Sequence, residues 1–558
     1  MIKINESGDS FRKIRETNSY YVDKTEMLYK YLKNIKSAVL FARPRRFGKT
    51  LTMTMFRDFL DIRQNSAALF EGLDIMKYPG VVNDYMNQYP VIFLSLKEVY
   101  GKDFEAVFQN FQNVIATVCK DFAFLIQSEN VHVDPDDSVL LESLKQQEGT
   151  LASTTASLDL LARMLRQYYD KPVFIIVDEY DVPMAKALGT SAYDQIRDMI
   201  EHMLSYVCKT NENVKAVILS GCLYTVKNST YTGVNNIIPY TVLNPVYATS
   251  FGFTDGDVQQ LLQDAGLSDR CDTVKEWYDG YLFGRDRMYC PWDVLRYVNS
   301  VLDGSYSDRM GPESYWLNTS DSTLDLIHGF LGKTAGAVGK FEQLLAGKAI
   351  DCVINDTLPY HRFYERGENI WSALLETGYL TKTEPEKMTL MPLKIPNRSI
   401  QVVFRQEVWD YFRDRVDNVF IDDLVSALWA GETEKAEQAL DQILEATLSF
   451  YHEYHEYSYH LILDGFFTGY GYRVLSESES GYGRTDLQIL DPARSRCLIL
   501  ELKHVRDETN IEKALEEAAG QIIREKYESR SSYEGYTEQL CYAMAFRGKK
   551  AKIIKKYS

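Results

Sequence analysis

The chain has 558 residues, of which 45% are hydrophobic and 25% are charged, and its formal net charge at pH 7 is −17. This composition is typical of a globular protein, and the length allows roughly three domains of ordinary size. An acidic chain is not built over its whole surface to coat nucleic acid, so any nucleic-acid contact must come from local basic patches.

The cysteines and the apolar segments point to the cytoplasm. Eight cysteines are scattered without a CxxC pair, which predicts reduced thiols and neither a zinc site nor a disulfide framework. The N-terminal residues lack the apolar core of a signal peptide, and no apolar run is long enough to span a bilayer. We therefore expect a cytoplasmic protein with no membrane contact.

A phosphate-binding loop is predicted near the N-terminus. The apolar run 38–42, the sequence RPRRFGKT at 43–50 and an apolar-periodic segment indicate strand, loop and helix in that order. The end of the loop fits the Walker A pattern GxxxxGKS/T, in which Lys49 reaches the β- and γ-phosphates and Thr50 faces Mg²⁺. Arg43 stands where the pattern has its first glycine. On the pattern alone, a nucleotide site and a basic strand-to-helix turn both remain open.

Two acids follow a second apolar strand, predicted at 172–177. Asp178 and Glu179 would lie at the carboxyl end of a parallel strand, which is where open α/β sheets bind ligands. We expect Asp178 to hold Mg²⁺ through water and Glu179 to orient and polarise the attacking water. Helix capping is the alternative for either acid taken singly. Further strands are predicted at 89–96 and 216–221, and Ser220 is a candidate for contact with the γ-phosphate.

Together these motifs resemble the bacterial AAA-ATPase-like family. The resemblance rests on YVDKT at 21–25, RPRRFGKT at 43–50, VDEYD at 177–181 and GVNN at 233–236. That family's phosphate loop reads RPRRFGKS/T, so an arginine at 43 is the family's own form. The resemblance implies binding and hydrolysis of ATP, with Glu179 as a catalytic residue. The cofactor-binding residues that it implies are Arg45, Arg46, Phe47, Gly48, Lys49, Thr50 and Asp178. Solvent-facing side chains remain the alternative for the two arginines.

The middle of the chain, from residue 249 to 440, is predicted to be mostly helical and to form a lid beside the ATPase sheet. The stretches 274–281, 289–295, 315–320 and 376–381 resemble the same family. Their aromatic residues are expected in the core rather than in contact with a ligand. A short extended element is expected at 395–397, before helices from Arg405 onward.

The last 110 or so residues carry a second group of candidate catalytic residues, two carboxylates and a lysine on predicted strands. Strands at 483–490 and 495–503 are close enough in sequence to form a hairpin. Asp486 begins the first of these strands, and Glu501 and Lys503, two residues apart, share one face of the second. Two carboxylates on neighbouring strands beside a lysine can bind Mg²⁺ and activate water for attack on a phosphodiester. Surface strands also carry Glu and Lys two apart without any such role.

This spacing of an aspartate, fourteen residues and then Glu-x-Lys resembles the PD-(D/E)xK nuclease superfamily. The resemblance implies that Asp486, Glu501 and Lys503 are catalytic and that Lys503 stabilises phosphate charge or positions water. It also implies that helical Glu456 joins Asp486 and Glu501 as a metal ligand and that helical Gln521 completes the site. A basic run at 547–556 is either a contact for a nucleic-acid backbone or a solvated terminal strand.

The sequence thus predicts an α/β protein: a P-loop NTPase parallel sheet, a helical middle region and a C-terminal α/β restriction-endonuclease-like domain. The domains are expected at 1–248, 249–440 and 441–558. The leading hypothesis is an ATPase that regulates or powers a Mg²⁺-dependent nuclease acting on DNA or RNA. The alternatives are a regulatory ATPase switch whose C-terminal domain binds nucleic acid or a protein without cleavage, and a binding module with little ATP turnover. Homo-oligomerisation is left open by the sequence.

Overall fold

The computed structural model describes residues 2–5, 8–126, 134–224, 234–308, 311–315, 337–345, 347–355, 358, 368–384, 390–413, 416–447, 456–480, 483–505, 510–525 and 536–556. At some of these positions, Glu456 among them, only the backbone is described. The chain forms two compact units. One comprises Met1–Ser305, Asn318–Leu326 and Ala349–Arg398, and the other comprises Tyr306–Leu317, Ile327–Lys348 and Ser399–Ser558. The three-domain division at 1–248, 249–440 and 441–558 stays a prediction.

The elements before residue 306 include both helices and strands. The helices are α1 Phe11–Glu16, α2 Glu26–Leu32, α3 Lys49–Leu60, α4 Ala67–Phe70, α5 Pro79–Tyr85, α6 Phe104–Asp121, α7 Pro135–Lys145, α8 Leu151–Thr155, α9 Ser157–Tyr169, α10 Val182–Lys186, α11 Tyr193–Cys208, α12 Asp255–Ala265, α13 Cys271–Tyr278 and α14 Pro291–Leu302. The strands are β1 Ala38–Ala42, β2 Val91–Ser95, β3 Val173–Asp178, β4 Val214–Gly221, β5 Ile238–Tyr240, β6 Tyr281–Phe283 and β7 Asp286–Met288.

The later elements follow in the same way. The helices are α15 Ala337–Leu345, α16 Asn369–Thr377, α17 Arg398–Arg413, α18 Asn418–Ala430, α19 Thr433–Thr447, α20 Glu456–Gly469 and α21 Ile511–Glu525. The strands are β8 Ile350–Cys352, β9 Thr381–Lys382, β10 Met391–Lys394, β11 Arg473–Ser480, β12 Gly483–Asp491, β13 Arg496–His504, β14 Glu538–Arg547 and β15 Lys550–Lys556.

A parallel five-stranded sheet forms the centre of the first unit. Its order is β2-β3-β4-β1-β5, and every neighbouring pair is parallel. All residues of β1 and β3 are buried, as expected for strands covered by helices on both faces. Because the strands are parallel, the ends of β1, β3 and β4 meet at one edge, with Ala42 paired with Gly221. The predicted P-loop NTPase sheet is confirmed.

The YVDKT motif joins separate segments of this unit. Asp23 Oδ1 accepts a hydrogen bond from the Thr25 amide, and its Oδ2 accepts one from the Asp74 amide. Lys24 Nζ lies 2.6 Å from Asp257 Oδ2 in the first turn of α12. The motif therefore holds the start of α2 to the segment at 74 and to α12. In the GVNN stretch, Val234–Asn236 form a short 3₁₀ helix, and position 233 lies outside the described residues.

The middle region contains more strand than its sequence pattern predicts. Between α13 and α14, β6 and β7 form a hairpin, and β8, β10 and β9 form an antiparallel sheet. These strands have two to four residues, too few for a periodic pattern to be read against a helical background. The expected extended element precedes residues 395–397, as β10, and the following helix begins at Arg398 rather than Arg405.

Several aromatic landmarks of the middle region lie in the core, as predicted, whereas Trp277, Trp292 and Tyr315 are half-buried. The side chains of Tyr278, Tyr281 and Tyr289 are at most 1% exposed. Residues 316–320 of the landmark at 315–320 lie outside the described residues.

A five-stranded mixed sheet forms the centre of the second unit, in the order β11-β12-β13-β14-β15. Strands β13 and β14 are parallel and joined through α21, and the other pairs are antiparallel, including the predicted β12–β13 hairpin. Side chains alternate along β13: Leu498 and Leu500 pack with α18, α19 and α20, whereas Cys497 and Ile499 pack with α21. This helix–sheet–helix arrangement is consistent with the predicted restriction-endonuclease-like fold.

Candidate functional site

The first candidate site lies where β1 ends and α3 begins. Gly48 caps α3 with φ +82°, a left-handed conformation that glycine adopts without a steric penalty, and the helix starts at Lys49. The unpaired amides of a helix N-terminus and the turn before it attract anions. The predicted strand, loop and helix are therefore in place, with the loop facing the carboxyl ends of β3 and β4.

Asp178, at the end of β3, contacts the first turn of α3. Thr50 Oγ1 donates a 2.9 Å hydrogen bond to Asp178 Oδ2, and Ser220 Oγ donates one to Asp178 Oδ1. Burial raises the pKa of Asp178, and the charge of Glu179 adds to this, while the two hydroxyl groups and Lys49 favour the ionised form. Hydroxyl and carboxylate oxygens are the ligands that Mg²⁺ prefers, so Thr50 and Asp178 fit a magnesium ion.

Ser220 lies near the end of β4, within the strand predicted at 216–221. Besides donating to Asp178, its Oγ accepts a 3.3 Å hydrogen bond from the Glu179 amide. The hydroxyl thus connects the carboxylate of Asp178 to the backbone of Glu179, and its contact with a γ-phosphate stays a prediction. The sequence pattern could not reveal this, because β3 and β4 become neighbours only in the folded sheet.

Lys49 occupies the base of the loop. Its Nζ donates to the main-chain oxygens of Arg43 and Pro44, at 3.2 and 3.1 Å, and lies 4.0 Å from Glu179 Oε1. Burial by itself would lower the pKa of Lys49, but neighbouring groups outweigh it and the pKa is raised. Cys222 is one of these neighbours, yet burial raises its own pKa to about 12, so its thiol is uncharged at neutral pH. The neighbouring carboxylates therefore keep the ammonium group charged.

Glu179 has an unusual backbone conformation. Its φ is +53°, which is uncommon for a residue with a side chain and is found most often where the surrounding structure enforces it. Here the enforcing contacts are the hydrogen bond from its amide to Ser220 and the proximity of its carboxylate to Lys49. Glu179 is therefore turned away from the strand direction and towards the phosphate loop.

Asp181 lies in the same group of charged residues as Lys49 and Glu179. The sequence pattern alone assigned it no role. Its Oδ2 accepts hydrogen bonds from the amides of Cys222 and Leu223, at 2.9 and 3.1 Å. Burial, followed by the charge of Glu179, raises the pKa of Asp181 to about 6. Asp181 therefore fixes the backbone that follows β4, next to Lys49. The signal available in the sequence was a third acid in VDEYD.

Arg43 supports the loop from inside the protein. Its side chain is fully buried, and its guanidinium group donates to the main-chain oxygens of Ala42, Tyr240 and Tyr247 at 2.6–3.0 Å. Burial lowers the pKa of Arg43 to about 9, opposed by the charge of Glu376, so the group stays protonated at neutral pH. An arginine in place of the first glycine thus ties the loop to β5 and to the segment after it.

The three residues between Pro44 and Gly48 point in different directions. The guanidinium carbon of Arg46 lies 4.0 Å from the centre of the Trp292 ring in α14, and Arg296 lies 5.1 Å from the same ring. Arg45 is half-buried, and its positive charge acts on Cys222, beside Lys49. Phe47 is buried between Tyr281 and Phe283, with ring centres 5.0 Å from each. Phe47 can therefore offer a phosphate only its backbone.

The second candidate site lies on the β12–β13 hairpin. Continuing the register that pairs Leu487 with Leu500 places Asp486 opposite Glu501, so both positions lie on the face covered by α21. Asp486 Oδ2 accepts a 2.7 Å hydrogen bond from the Leu502 amide. Glu501 is fully buried, and Lys503 Nζ lies 3.2 Å from its Oε1. The three catalytic residues predicted here are thus brought together.

Gln521 and Glu456 belong to helices on opposite sides of this sheet. Gln521 follows the sheet-facing Ala518 by one turn of α21, on the same side as Glu501. Glu456 is the first residue of α20, and its side chain lies outside the described part of the structure. Among the described side chains, no group of three or more His, Cys, Asp or Glu is gathered closely enough to hold a metal ion. Asp486 and Glu501 supply two of the oxygen donors that Mg²⁺ would need.

The basic C-terminal run forms the edge strand β15. Lys550 Nζ lies 2.9 Å from Asp441 Oδ2, and Lys552 Nζ lies 3.1 Å from Glu437 Oε2, both acids being on α19. The same carboxylates accept hydrogen bonds from the amides of residues 551 and 553. These lysines therefore fasten the sheet edge to α19.

The two folds and their polar residues define a class: an ATPase-like P-loop fold followed by a nuclease-like fold. Residues 7–231 match the AAA-ATPase-like family model, described as "Predicted AAA-ATPase". Residues 454–556 match the model of the PD-(D/E)XK nuclease superfamily. The chain thus carries an AAA-ATPase-like domain and a C-terminal PD-(D/E)XK nuclease superfamily domain, as its sequence motifs predicted.

One curated relative is similar over a longer stretch. The chain is 25% identical over 404 residues to an Azotobacter chroococcum mcd 1 protein described as "Uncharacterized protein in vnfD 5'region". The match covers 70% of this chain and 67% of that protein. Among the helices that the structure describes, none is both long and apolar enough to cross a membrane.

Proposed function

We propose that the chain binds and hydrolyses ATP with Mg²⁺ and that this module regulates or powers a Mg²⁺-dependent nuclease acting on DNA or RNA in the cytoplasm. The ATPase half is supported above all by the bond from Thr50 to Asp178 beside Lys49 and Glu179. The nuclease half is supported by the pairing of Asp486 with Glu501 next to Lys503. Both halves are supported by the two family matches.

In the ATPase module each residue has a separate task. Lys49 exchanges the carbonyl oxygens of Arg43 and Pro44 for the β- and γ-phosphates, and Arg45 adds positive charge on the side of Cys222. Bound Mg²⁺ supplies charge neutralisation at the phosphates, held by Thr50 and Asp178. Glu179 orients the attacking water, while Ser220 and Asp181 hold the ends of β3 and β4 in register.

In the nuclease module the carboxylates of Asp486 and Glu501 hold the metal, with Glu456 as a further candidate ligand. Bound Mg²⁺ supplies Lewis-acid activation of water and neutralises phosphodiester charge. Lys503, beside Glu501, positions that water or stabilises the developing charge. Gln521 lies on the helix that covers the same face and completes the site.

The ATPase is tested with Lys49→Ala and Glu179→Gln in the full chain. Lys49→Ala should weaken ATP binding, whereas Glu179→Gln should retain binding and slow hydrolysis by about 100-fold or more. Lys33→Ala, an exposed lysine after α2, serves as the control. Unchanged ATP affinity in Lys49→Ala would contradict the phosphate-loop assignment.

The nuclease is tested by incubating single- and double-stranded DNA and RNA with Mg²⁺ or Mn²⁺, with and without ATP. Asp486→Asn and Glu501→Gln should abolish cleavage, and Glu512→Gln, an exposed acid on α21, should leave it intact. A dependence of cleavage on ATP would support coupling of the two modules.

The regulatory switch without cleavage is the alternative, and the complete burial of Glu501 favours it, because burial limits access of a phosphodiester to that carboxylate. Clear ATP hydrolysis without cleavage of any of these substrates would decide in its favour.

A further inference from the structure

A histidine on α20 contacts the strand that carries Asp486. His460 is 5% exposed, and its Nε2 lies 2.9 Å from the main-chain oxygen of Asp486. A carbonyl oxygen can only accept a hydrogen bond, so Nε2 must carry the proton and donate it. The imidazole thus joins α20, on one face of the sheet, to the backbone of a residue whose side chain lies on the other face.

Asp486 is held from two sides. Its carbonyl oxygen accepts from His460, and its carboxylate accepts from the amide of Leu502, the residue between Glu501 and Lys503. The first bond fixes the backbone of β12 at this position, and the second fixes one carboxylate oxygen against β13. Loss of the first bond would free the backbone to shift and carry the carboxylate out of register with Glu501.

We infer that His460 is a positioning residue of the proposed metal site, which holds Asp486 at the place where it pairs with Glu501. The inference rests on the proposed nuclease function. Glu456 precedes His460 by four residues and hence by about one turn of α20. Residues that orient metal ligands typically change metal affinity by about 10- to 100-fold when they are replaced.

The neighbouring residue provides a matched control. Tyr459 OH donates a 2.7 Å hydrogen bond to the main-chain oxygen of Gly548, in the β14–β15 turn, and its ring stacks on Phe546. Tyr459→Phe and a His460 variant without a donor therefore each remove one hydrogen bond between α20 and a carbonyl oxygen. Only the bond made by His460 reaches a proposed metal ligand.

The experiment measures Mn²⁺ binding to the full chain by calorimetry, without nucleotide, and the melting temperature of each variant. Asp486→Asn identifies the part of the binding that belongs to the C-terminal site. His460→Gln can place an amide nitrogen near the position of Nε2, whereas His460→Asn is one methylene too short to reach the carbonyl oxygen. We expect His460→Asn to weaken Mn²⁺ binding about tenfold or more, and His460→Gln and Tyr459→Phe to stay near wild type.

Equal Mn²⁺ affinity in His460→Asn and Tyr459→Phe would overturn the inference, as would equal weakening in His460→Asn and His460→Gln. Binding that Asp486→Asn does not reduce, or no binding by the wild type, would instead remove the proposed metal site itself and the inference with it. The Asp486→Asn arm therefore separates failure of the proposed function from failure of the role of His460.

Discussion

Thr50 in the first turn of α3 donates a 2.9 Å hydrogen bond to Asp178 at the end of β3. Asp178 ends β3, which lies two strands from β1 in the sheet, and β1 leads into the phosphate loop. The bond therefore joins the loop to a strand that is not its direct neighbour. Both oxygens are of the kind that coordinates Mg²⁺, so this arrangement suits the magnesium ion proposed for the site.

Replacement of the Thr50 hydroxyl tests this arrangement. Thr50→Val keeps the shape of the side chain but removes the oxygen, so we expect ATP hydrolysis at low millimolar Mg²⁺ to fall by about tenfold or more. Thr50→Ser keeps the oxygen and should retain most of the activity. Steady-state hydrolysis measured over a range of Mg²⁺ concentrations checks the prediction. Equal activity in the valine and serine variants would contradict a role for the hydroxyl.

Arg43 should matter for stability. Arg43→Met keeps much of the side-chain volume but leaves the carbonyl oxygens of Tyr240 and Tyr247 without their buried donor. We expect the free energy of unfolding to fall by about 2–4 kcal/mol. Arg46→Met, in the same loop but exposed, should change it by less than about 1 kcal/mol. Urea denaturation of both variants provides the comparison, and similar losses in the two would argue against a special role for Arg43.

Trp292 should report on nucleotide binding. Because Arg46 stacks on its ring, attraction of Arg46 to bound phosphates would alter the surroundings of the indole. We expect ATP to change the tryptophan emission and Trp292→Phe to remove that change. Trp429 is the matched control, since Arg496 lies 4.0 Å from its ring in the second unit. If Trp429→Phe removed the signal and Trp292→Phe did not, Arg46 would not be its source.

Asp181 should make stability depend on pH. Its folded-state pKa of about 6 is above the ordinary value of 3.8, so the native state keeps a proton that the unfolded chain has lost between these values. The free energy of unfolding therefore falls as pH rises from about 4 to about 6. Asp181→Asn retains an oxygen for the amides of Cys222 and Leu223 and removes the titration.

This variant should accordingly gain stability relative to wild type as pH rises through that window, by on the order of 1–3 kcal/mol. Denaturation at pH 4, 5, 6 and 7 gives the difference at each value. A difference that is constant across the series would mean that Asp181 titrates in the native state as it does in the unfolded chain.

The local structure of segments with a continuous sequence pattern could be predicted from the sequence. The phosphate loop, the strand that ends at Asp178 and the β12–β13 hairpin are each encoded within a few neighbouring residues, so their local structure follows from local pattern. The proximity of Asp178 and Glu179 to the phosphate loop was also predictable, because parallel strands bring their carboxyl ends to one edge. The pairing of Asp486 with Glu501 needed only a hairpin with the correct register.

The supporting contacts could not be predicted in this way. Arg43 finds its acceptor at Tyr240, 197 residues along the chain, and Ser220 reaches Asp178 only because β4 lies beside β3. His460 has a buried ring whose partner is a main-chain oxygen, and no side-chain motif records such an acceptor. Hydrogen bonds between residues that only tertiary packing brings together are hard to predict from a single sequence. This is so even when they position the residues that the motifs identify.

The fastening of β15 to α19 has a consequence for how a nucleic acid would bind. Lys550 and Lys552 lie within ion-pair distance of Asp441 and Glu437, so a phosphate backbone would compete with those carboxylates for the two lysines. Any counterions that DNA or RNA loses on binding would then be displaced mainly by other lysine and arginine side chains of the protein. The slope of affinity against salt concentration should change little when these two lysines are replaced.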